Sequence, residues 1–232
     1  GIPVQQNKKK LYSRDRNLWH ISHEGCELED PANEPKDDLY VMSVPLSKAP
    51  SKPGYVQIDF KAGVPVALDG VRLHGEDLIA RLNAVGGKHA VGQADLVENR
   101  LVGIKSRGVY ETPGGTILYE AHRALEALTL DRDTLHAKQP IALKYAEMVY
   151  YGQWFHPLRE AYDAFIDRTQ KNVTGSVRIK CFRGRAAFAG ATSPKSLYST
   201  SLASFQMGQD YTPQDATGFI RLFGLQMRGR GK

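Results

Sequence analysis

The chain has 232 residues, 41% of them hydrophobic and 24% charged, a composition typical of a folded domain large enough to bury its own core. Its two cysteines, Cys26 and Cys181, are too few for a disulfide framework, so a reduced, cytoplasmic protein is expected. The net charge is +6, but the basic clusters lie at the chain ends without interleaved aromatic residues, and no apolar run is long enough for a transmembrane helix. The sequence therefore predicts neither a nucleic-acid partner nor a membrane partner.

The first third of the chain is predicted to be mostly extended. Residues 1–11 are polar and basic, as expected of a linker. Residues 29–54 are rich in Pro, Lys, Asp and Ser and predict an irregular excursion. Alternating apolar residues over 56–60 and 64–68 then predict two antiparallel strands.

Glycines are predicted to punctuate the middle of the chain. Apolar residues at helical spacing indicate a helix that runs to about Val85, where Gly86-Gly87 is expected to end it. Pro113-Gly114-Gly115 is expected to break the chain before a further helix over 116–128. Short strands with polar ends are predicted between these helices.

The second half of the chain combines helices with a hairpin, so the whole chain predicts an α+β fold with an antiparallel sheet, packed helices and a C-terminal helical tail. Pro140 is expected to start, kink or split the helix predicted over about 132–151. The predicted elements are helices over about 132–151 and from Pro157, a hairpin over 173–182 and 185–191, a strand over 202–207, and a helix from Thr212-Pro213.

The stretch from Val97 to Leu118 concentrates charged and polar residues on short apolar strands, which is typical of a rigid binding site. The alternative is a set of ion pairs at strand ends. Arg100, Lys105 and Arg107 are suited to a phosphoryl-transfer site, but pairing with Glu98, Glu111 or other carboxylates is the favoured interpretation.

A metal site is not predicted. His20, His23, Glu24 and Cys26 lie close together in the sequence, but their spacing matches no standard zinc pattern and no second cluster completes it.

Four groups of residues form a pattern that extends over nearly the whole chain. They are Tyr12-Ser13-x-Asp15-x-Asn17-Leu18-Trp19-x-Ile21-Ser22-His23-Glu24-Gly25; Gly87-Lys88-His89 with Val97-Glu98-Asn99-Arg100; Lys105-Ser106-Arg107-Gly108-Val109-Tyr110-Glu111-Thr112-Pro113; and Ser193-Pro194-x-Ser196-Leu197-Tyr198 with Asp215-Ala216-Thr217-Gly218-Phe219-Ile220. In this order and at this spacing, the four groups resemble the argininosuccinate synthase family.

The resemblance implies a homotetrameric ATP-dependent ligase that joins citrulline to aspartate through a citrullyl-AMP intermediate. Members of the family begin with an ATP-binding domain that carries a Ser-Gly-Gly-x-Asp loop, and this chain has no such loop. The chain is therefore interpreted as the C-terminal half, inactive alone, with ATP and Mg²⁺ bound mainly by the N-terminal half. Its predicted parts are a linker over 1–11, a substrate-binding and multimerisation domain over 12–211, and an oligomerisation tail over 212–232.

The resemblance also implies that citrulline contacts Ser13, Ser22, Glu98 and Tyr110. A glutamate is suited to pair with the α-ammonium of citrulline, and a phenol adds a second hydrogen-bonding group on a rigid ring. The two serine hydroxyls both donate and accept hydrogen bonds, which suits the remaining amino and carboxylate groups. No catalytic nucleophile is predicted.

Two other functions are compatible with the residues alone. The polar clusters and the apolar tail are also expected in a non-catalytic oligomerisation module. A basic nucleic-acid binder would show a steeply salt-dependent affinity, and the sequence supports it least.

Overall fold

The structure is a computed structural model that describes residues 12–203 and 212–229. These residues form two antiparallel sheets and seven helices, which confirms the predicted α+β fold with a helical tail. The strands are β1 (Ile21–His23), β2 (Gly54–Lys61), β3 (Val64–Leu68), β4 (Val71–Arg72), β5 (Gln93–Asn99), β6 (Lys105–Glu111), β7 (Gly175–Phe182) and β8 (Arg185–Thr192). The helices are α1 (Gly75–Lys88), α2 (Pro113–Thr129), α3 (Arg132–Tyr150), α4 (Pro157–Gln170), α5 (Thr200–Ala203), α6 (Asp215–Phe223) and α7 (Leu225–Arg228).

The chain divides into two compact units, residues 1–195 and residues 196–232. The predicted linker over 1–11 lies outside the described residues. The predicted functional boundary between residues 211 and 212 stays a prediction. No described helix is both long enough and apolar enough to cross a membrane.

The larger sheet has the strand order β4-β3-β2-β7-β8 and forms the main core. Val56 and Ile58 on β2 pair across the strands with Ile179 and Val177 on β7, and all four side chains are buried. Because side chains alternate between the two faces of a strand, these pairs form one apolar face. Helices α1 and α2 contribute residues such as Leu125 to the same core. The predicted hairpin of β7 and β8 is confirmed.

The smaller sheet has the strand order β1-β6-β5, with β6 in the middle. Ile21 to His23 on β1 pair with Glu111 to Val109 on β6, and Gln93 to Asn99 on β5 pair with Glu111 to Lys105 on the other edge. Leu101-Val102 belongs to the stretch from Val97 to Leu118, for which short strands were predicted, but it lies in the exposed turn between β5 and β6.

The prediction that Gly86-Gly87 ends the first helix is wrong, because α1 continues through both glycines to Lys88. The glycines are needed for close packing. A Cβ atom on Gly87 would lie 2.1 Å from the Met42 carbonyl oxygen, and one on Gly86 would lie 2.9 Å from Pro113 Cβ. Tertiary contacts therefore explain these glycines better than helix termination does.

Pro113-Gly114-Gly115 does not break the chain, as was expected, but forms the first turn of α2. Proline suits the first helical position, since its missing N–H has no partner there in any case. A Cβ atom on Gly114 would lie 2.8 Å from Asn83 Oδ1, and one on Gly115 would lie 2.7 Å from the Trp19 ring. The two glycines thus allow α2 to pack closely against its neighbours.

The later helices differ from the prediction at three points. Helix α3 is continuous and contains Pro140. Leu202 and Ala203 lie in α5 instead of a strand, and residues 204–207 lie outside the described residues. The last amphipathic helix begins at Asp215, three residues after Thr212, because residues 212–214 form a turn.

Candidate functional site

The smaller sheet has one polar face on which three of the predicted site residues meet. Ser22 on β1 is the cross-strand partner of Tyr110 on β6, and Glu98 on β5 is the partner of Ser106 on β6. Ser106 and Tyr110 are four residues apart on one strand, so their side chains lie on the same face. Ser22, Glu98 and Tyr110 therefore share this face, which we call the polar face.

Tyr110 and Glu98 form a direct pair on the polar face. The Tyr110 hydroxyl donates a hydrogen bond of 2.8 Å to Glu98 Oε1. Burial raises the pKa of Tyr110, and the hydrogen bond to Glu98 and the negative charge of Glu98 raise it further. Tyr110 is therefore a protonated donor at neutral pH. Glu98 Oε2 accepts no hydrogen bond from the described residues and is available to a cationic ligand.

The two serines occupy the β1 side of the polar face. Ser22 is buried, and its hydroxyl oxygen accepts a hydrogen bond of 3.3 Å from the Asp15 N–H. Ser13 is exposed and forms an isolated antiparallel bridge with Glu24, two residues beyond Ser22. Its backbone N–H donates to the Glu24 carbonyl at 2.8 Å. The bridge places Ser13 beside the row that contains Ser22.

Of the three basic residues of this region, the two arginines are paired with carboxylates, as expected, and Lys105 is not. Arg100 donates to Glu24 Oε2 at 3.0 Å and to Ser106 Oγ at 3.1 Å. Arg107 forms two hydrogen bonds with Asp95, of 2.8 and 2.7 Å. Neither arginine pairs with Glu98 or Glu111 among the described contacts. Lys105 instead donates to Asn99 Oδ1 at 2.7 Å.

The opposite face of the smaller sheet contains a buried carboxylate whose role sequence reasoning missed. Glu111 is fully buried and accepts hydrogen bonds from His23 Nε2, from Ser43 Oγ and from three consecutive backbone N–H groups, those of residues 41–43. Burial alone would raise the pKa of Glu111, but the hydrogen bonds from His23, Ser43 and the backbone together lower it. The alternation of side chains along a strand could have predicted its position, because Tyr110 and its neighbour Glu111 must lie on opposite faces of the sheet.

The His20, His23, Glu24 and Cys26 group does not assemble around a common point. His23 is engaged by Glu111 and Arg14, and Glu24 is engaged by Arg100. Within the described part of the chain, no group of three or more His, Cys, Asp or Glu side chains is arranged to hold a metal ion.

The polar face offers a carboxylate, a phenol and two serine hydroxyls, one of them at its margin. A carboxylate suits an ammonium group, while hydroxyl groups suit a carboxylate or a second polar group. The fold and this face thus define an α+β domain with a surface of carboxylate and hydroxyl groups.

Comparisons with known proteins find a matching family model and similar proteins. The family model described as the arginosuccinate synthase C-terminal domain matches residues 12–229. The chain is 60% identical over 230 residues to argininosuccinate synthase of Desulfitobacterium hafniense strain DSM 10664 / DCB-2. The aligned region covers 99% of the chain and 57% of that relative. The corresponding protein of Moorella thermoacetica is 58% identical, with 99% of the chain and 56% of that relative covered.

A plant relative extends the comparison. The chloroplastic argininosuccinate synthase of Arabidopsis thaliana is 56% identical over 99% of the chain, which corresponds to 47% of that relative. The chain therefore belongs to the argininosuccinate synthase family. It spans about half the length of the curated relatives that it matches.

Proposed function

We propose that this chain is the C-terminal portion of an argininosuccinate synthase and that its polar face binds citrulline. The observation that carries the proposal is the Tyr110–Glu98 pair, on the same face as Ser22 and in a chain of this family. Glu98 receives the α-ammonium of citrulline through Oε2, and Tyr110 holds the carboxylate group of Glu98 in place through Oε1. Ser22 and Ser13 bind the remaining amino and carboxylate groups.

The proposed reaction proceeds in two steps. The ureido oxygen of citrulline attacks the α-phosphate of ATP, which forms citrullyl-AMP and releases pyrophosphate. The amine of aspartate then displaces AMP and forms argininosuccinate. The polar face contributes by holding citrulline in one orientation, because such positioning accounts for a large part of the rate of a reaction between several substrates. No described side chain is required to act as a nucleophile.

The other substrates are assigned to the rest of the enzyme. We place ATP and Mg²⁺ mainly on the part of the relatives that this chain does not cover. The complete enzyme is proposed to be a cytoplasmic homotetramer.

The test is the substitution Glu98→Gln in a polypeptide that joins this chain to the ATP-binding half of the enzyme. The substitution removes the negative charge opposite the citrulline ammonium, so the KM for citrulline is expected to rise about tenfold or more, while the KM for ATP changes less than about twofold. Glu120→Gln, at an exposed i,i+3 ion pair with Arg123 on α2, is the matched control. An unchanged KM for citrulline in the Glu98→Gln variant would refute the assignment of the site.

A non-catalytic oligomerisation module is the second candidate, and the tail provides the observation that favours it. On α6, Phe219 and Phe223 are stacked with ring centroids 5.3 Å apart, and both side chains are exposed. An apolar pair of this kind is typical of an association surface. If this candidate is right, Glu98→Gln lowers the association state in sedimentation velocity and leaves the citrulline KM unchanged.

A further inference from the structure

The buried Glu111 carboxylate binds a segment that has no regular secondary structure of its own. Val41, Met42 and Ser43 follow one another in the irregular excursion, and their N–H groups lie 2.8, 2.9 and 2.7 Å from the Glu111 oxygens. The Ser43 hydroxyl adds a fourth hydrogen bond of 2.7 Å. Hydrogen bonds to an ionised acceptor are about twice as strong as neutral ones. Glu111 therefore holds this segment against the smaller sheet.

The same segment is also attached to the rest of the first unit. The Val44 N–H donates to the Gly87 carbonyl at 3.0 Å, and Gln93 Nε2 donates to the Val44 carbonyl and to Ser43 Oγ at 2.8 Å. Gly87 lies in α1, and Gln93 is the cross-strand partner of Glu111. The segment thus links the smaller sheet to α1, and the Glu111 carboxylate is the centre of the link.

Glu111 is connected to the N-terminal part of the site through His23. His23 Nε2 lies 2.8 Å from Glu111 Oε1, and Arg14 Nε donates to His23 Nδ1 at 3.0 Å. Since Nδ1 is an acceptor here, the ring proton lies on Nε2 and is donated to Glu111. Both His23 and Glu111 are fully buried.

Each member of this chain of contacts is the sequence neighbour of a proposed citrulline contact. Arg14 follows Ser13, His23 follows Ser22, and Glu111 follows Tyr110. On β1 and β6, neighbouring side chains point to opposite faces. The Arg14–His23–Glu111 contacts therefore lie behind the polar face, where they join β1 to β6.

We propose that Glu111 is a positioning residue for citrulline binding. It acts through His23 and through the 41–43 segment, which hold β1 and β6 in the register that brings Ser22 and Tyr110 together. This inference rests on the proposed function, since it concerns the same site. Glu111 itself does not touch the substrate.

The test is Glu111→Gln in the complete enzyme. An amide cannot accept all five hydrogen bonds, because its NH₂ group is a donor and would face donors. The KM for citrulline is expected to rise about tenfold, while the KM for ATP stays within about twofold. Amide hydrogen exchange at Val41, Met42 and Ser43 should become faster, whereas exchange in β2 and β7 should not change.

A milder variant keeps the test informative if Glu111→Gln does not fold. Ser43→Ala removes one hydrogen bond to Glu111 and keeps the three backbone donors, and it should raise the citrulline KM about threefold. A lower unfolding temperature of either variant without a change in citrulline KM would show a purely structural role and would overturn the inference.

The Glu98→Gln variant separates the two proposals. If Glu98→Gln raises the citrulline KM and neither Glu111→Gln nor Ser43→Ala does, Glu111 is not a positioning residue and the proposed function stands. If Glu98→Gln also leaves the citrulline KM unchanged, the proposed site itself is wrong, and the inference is overturned with it.

Discussion

Glu98 and Glu111 have the same side chain and lie on neighbouring strands, but the face that each occupies gives its carboxylate a different role. Glu98 lies on the polar face, where Tyr110 engages one oxygen at 2.8 Å. Glu111 lies on the opposite face, where both oxygens accept hydrogen bonds from the protein. A carboxylate with a free acceptor is suited to bind a ligand, whereas a fully satisfied one is suited to hold structure.

The pKa of His89 also depends on the surroundings of its side chain, and it leads to a prediction about how stability changes with pH. It is buried, its Nδ1 has no hydrogen-bond partner among the described residues, and a Cβ atom on Gly54 would lie only 2.6 Å from its Nε2. Burial lowers the pKa of His89, and the neighbouring charge of Lys88 lowers it further. The folded protein therefore resists protonation of His89 more than the unfolded chain does.

The free energy of unfolding is accordingly expected to fall as the pH drops below 6.5, the ordinary pKa of histidine. The unfolded chain then binds a proton that the folded protein excludes, and one such site contributes at most about 1.4 kcal/mol per pH unit. Urea unfolding gives the free energy of unfolding at each pH between 7 and 5. This free energy should change less with pH in the His89→Gln variant than in the unchanged chain. His136→Gln, which removes an exposed histidine on α3, is the control.

At the scale of elements, glycines set how closely α1 and α2 approach their neighbours. Gly86 and Gly87 lie inside α1, and both are buried. Gly114 and Gly115 lie in the first turn of α2 and are buried as well. Sequence reasoning assigned both pairs to helix breaks, since glycine has the lowest helix propensity after proline. Close packing outweighs this propensity, because it allows the two helices and the 41–44 segment to meet without side chains between them.

Gly87→Ala is therefore expected to destabilise the chain, although alanine is a better helix former. The new Cβ would lie 2.1 Å from the Met42 carbonyl oxygen, a backbone atom that cannot move alone. Overpacking of this kind costs about 2–3 kcal/mol. Thermal or urea unfolding measures the loss. Gly75→Ala, at the start of the same helix with no atom within 4 Å of the added Cβ, should change the stability by less than about 0.5 kcal/mol. Equal stabilities of the two variants would contradict the packing explanation.

In the molecule as a whole, the described residues of the hydrophobic core belong to the first compact unit, residues 1–195. The buried hydrophobic residues extend from Tyr12 to Cys181, and the described apolar side chains after residue 195 are exposed. Burial of apolar surface is the main favourable contribution to folding. Among the described residues, those over 12–195 are thus expected to make nearly all of the stabilising contacts.

A chain that ends at Lys195 should consequently unfold cooperatively, with a midpoint within about 4 °C of the full chain, the shift that corresponds to about 1 kcal/mol in a protein of this size. Differential scanning calorimetry gives the midpoint, and sedimentation velocity on the same samples gives the association state. A loss of association without a loss of stability would assign the tail to assembly. A midpoint lowered by much more than this would show that the tail also stabilises the core.

Elements with a local signal could be predicted from the amino-acid sequence. The alternation of Val56, Ile58 and Phe60 and the Arg183-Gly184 turn of the β7–β8 hairpin predicted regular structure correctly, because side-chain periodicity and turn chemistry act over a few residues. The family resemblance likewise depends on the order of residues along the chain, and the match over residues 12–229 confirms it.

Contacts between residues far apart in the chain became known with the folded structure. Ser22, Glu98 and Tyr110 share a face because β1 and β5 pair with opposite edges of β6, and this pairing joins residues far apart in the chain. The burial of Glu111 and the place of Gly87 inside α1 depend on the 41–44 segment, which has no periodic pattern. Long-range pairing and close packing are not encoded in short windows of sequence, so the roles of Glu111 and Gly87 emerged only with the fold.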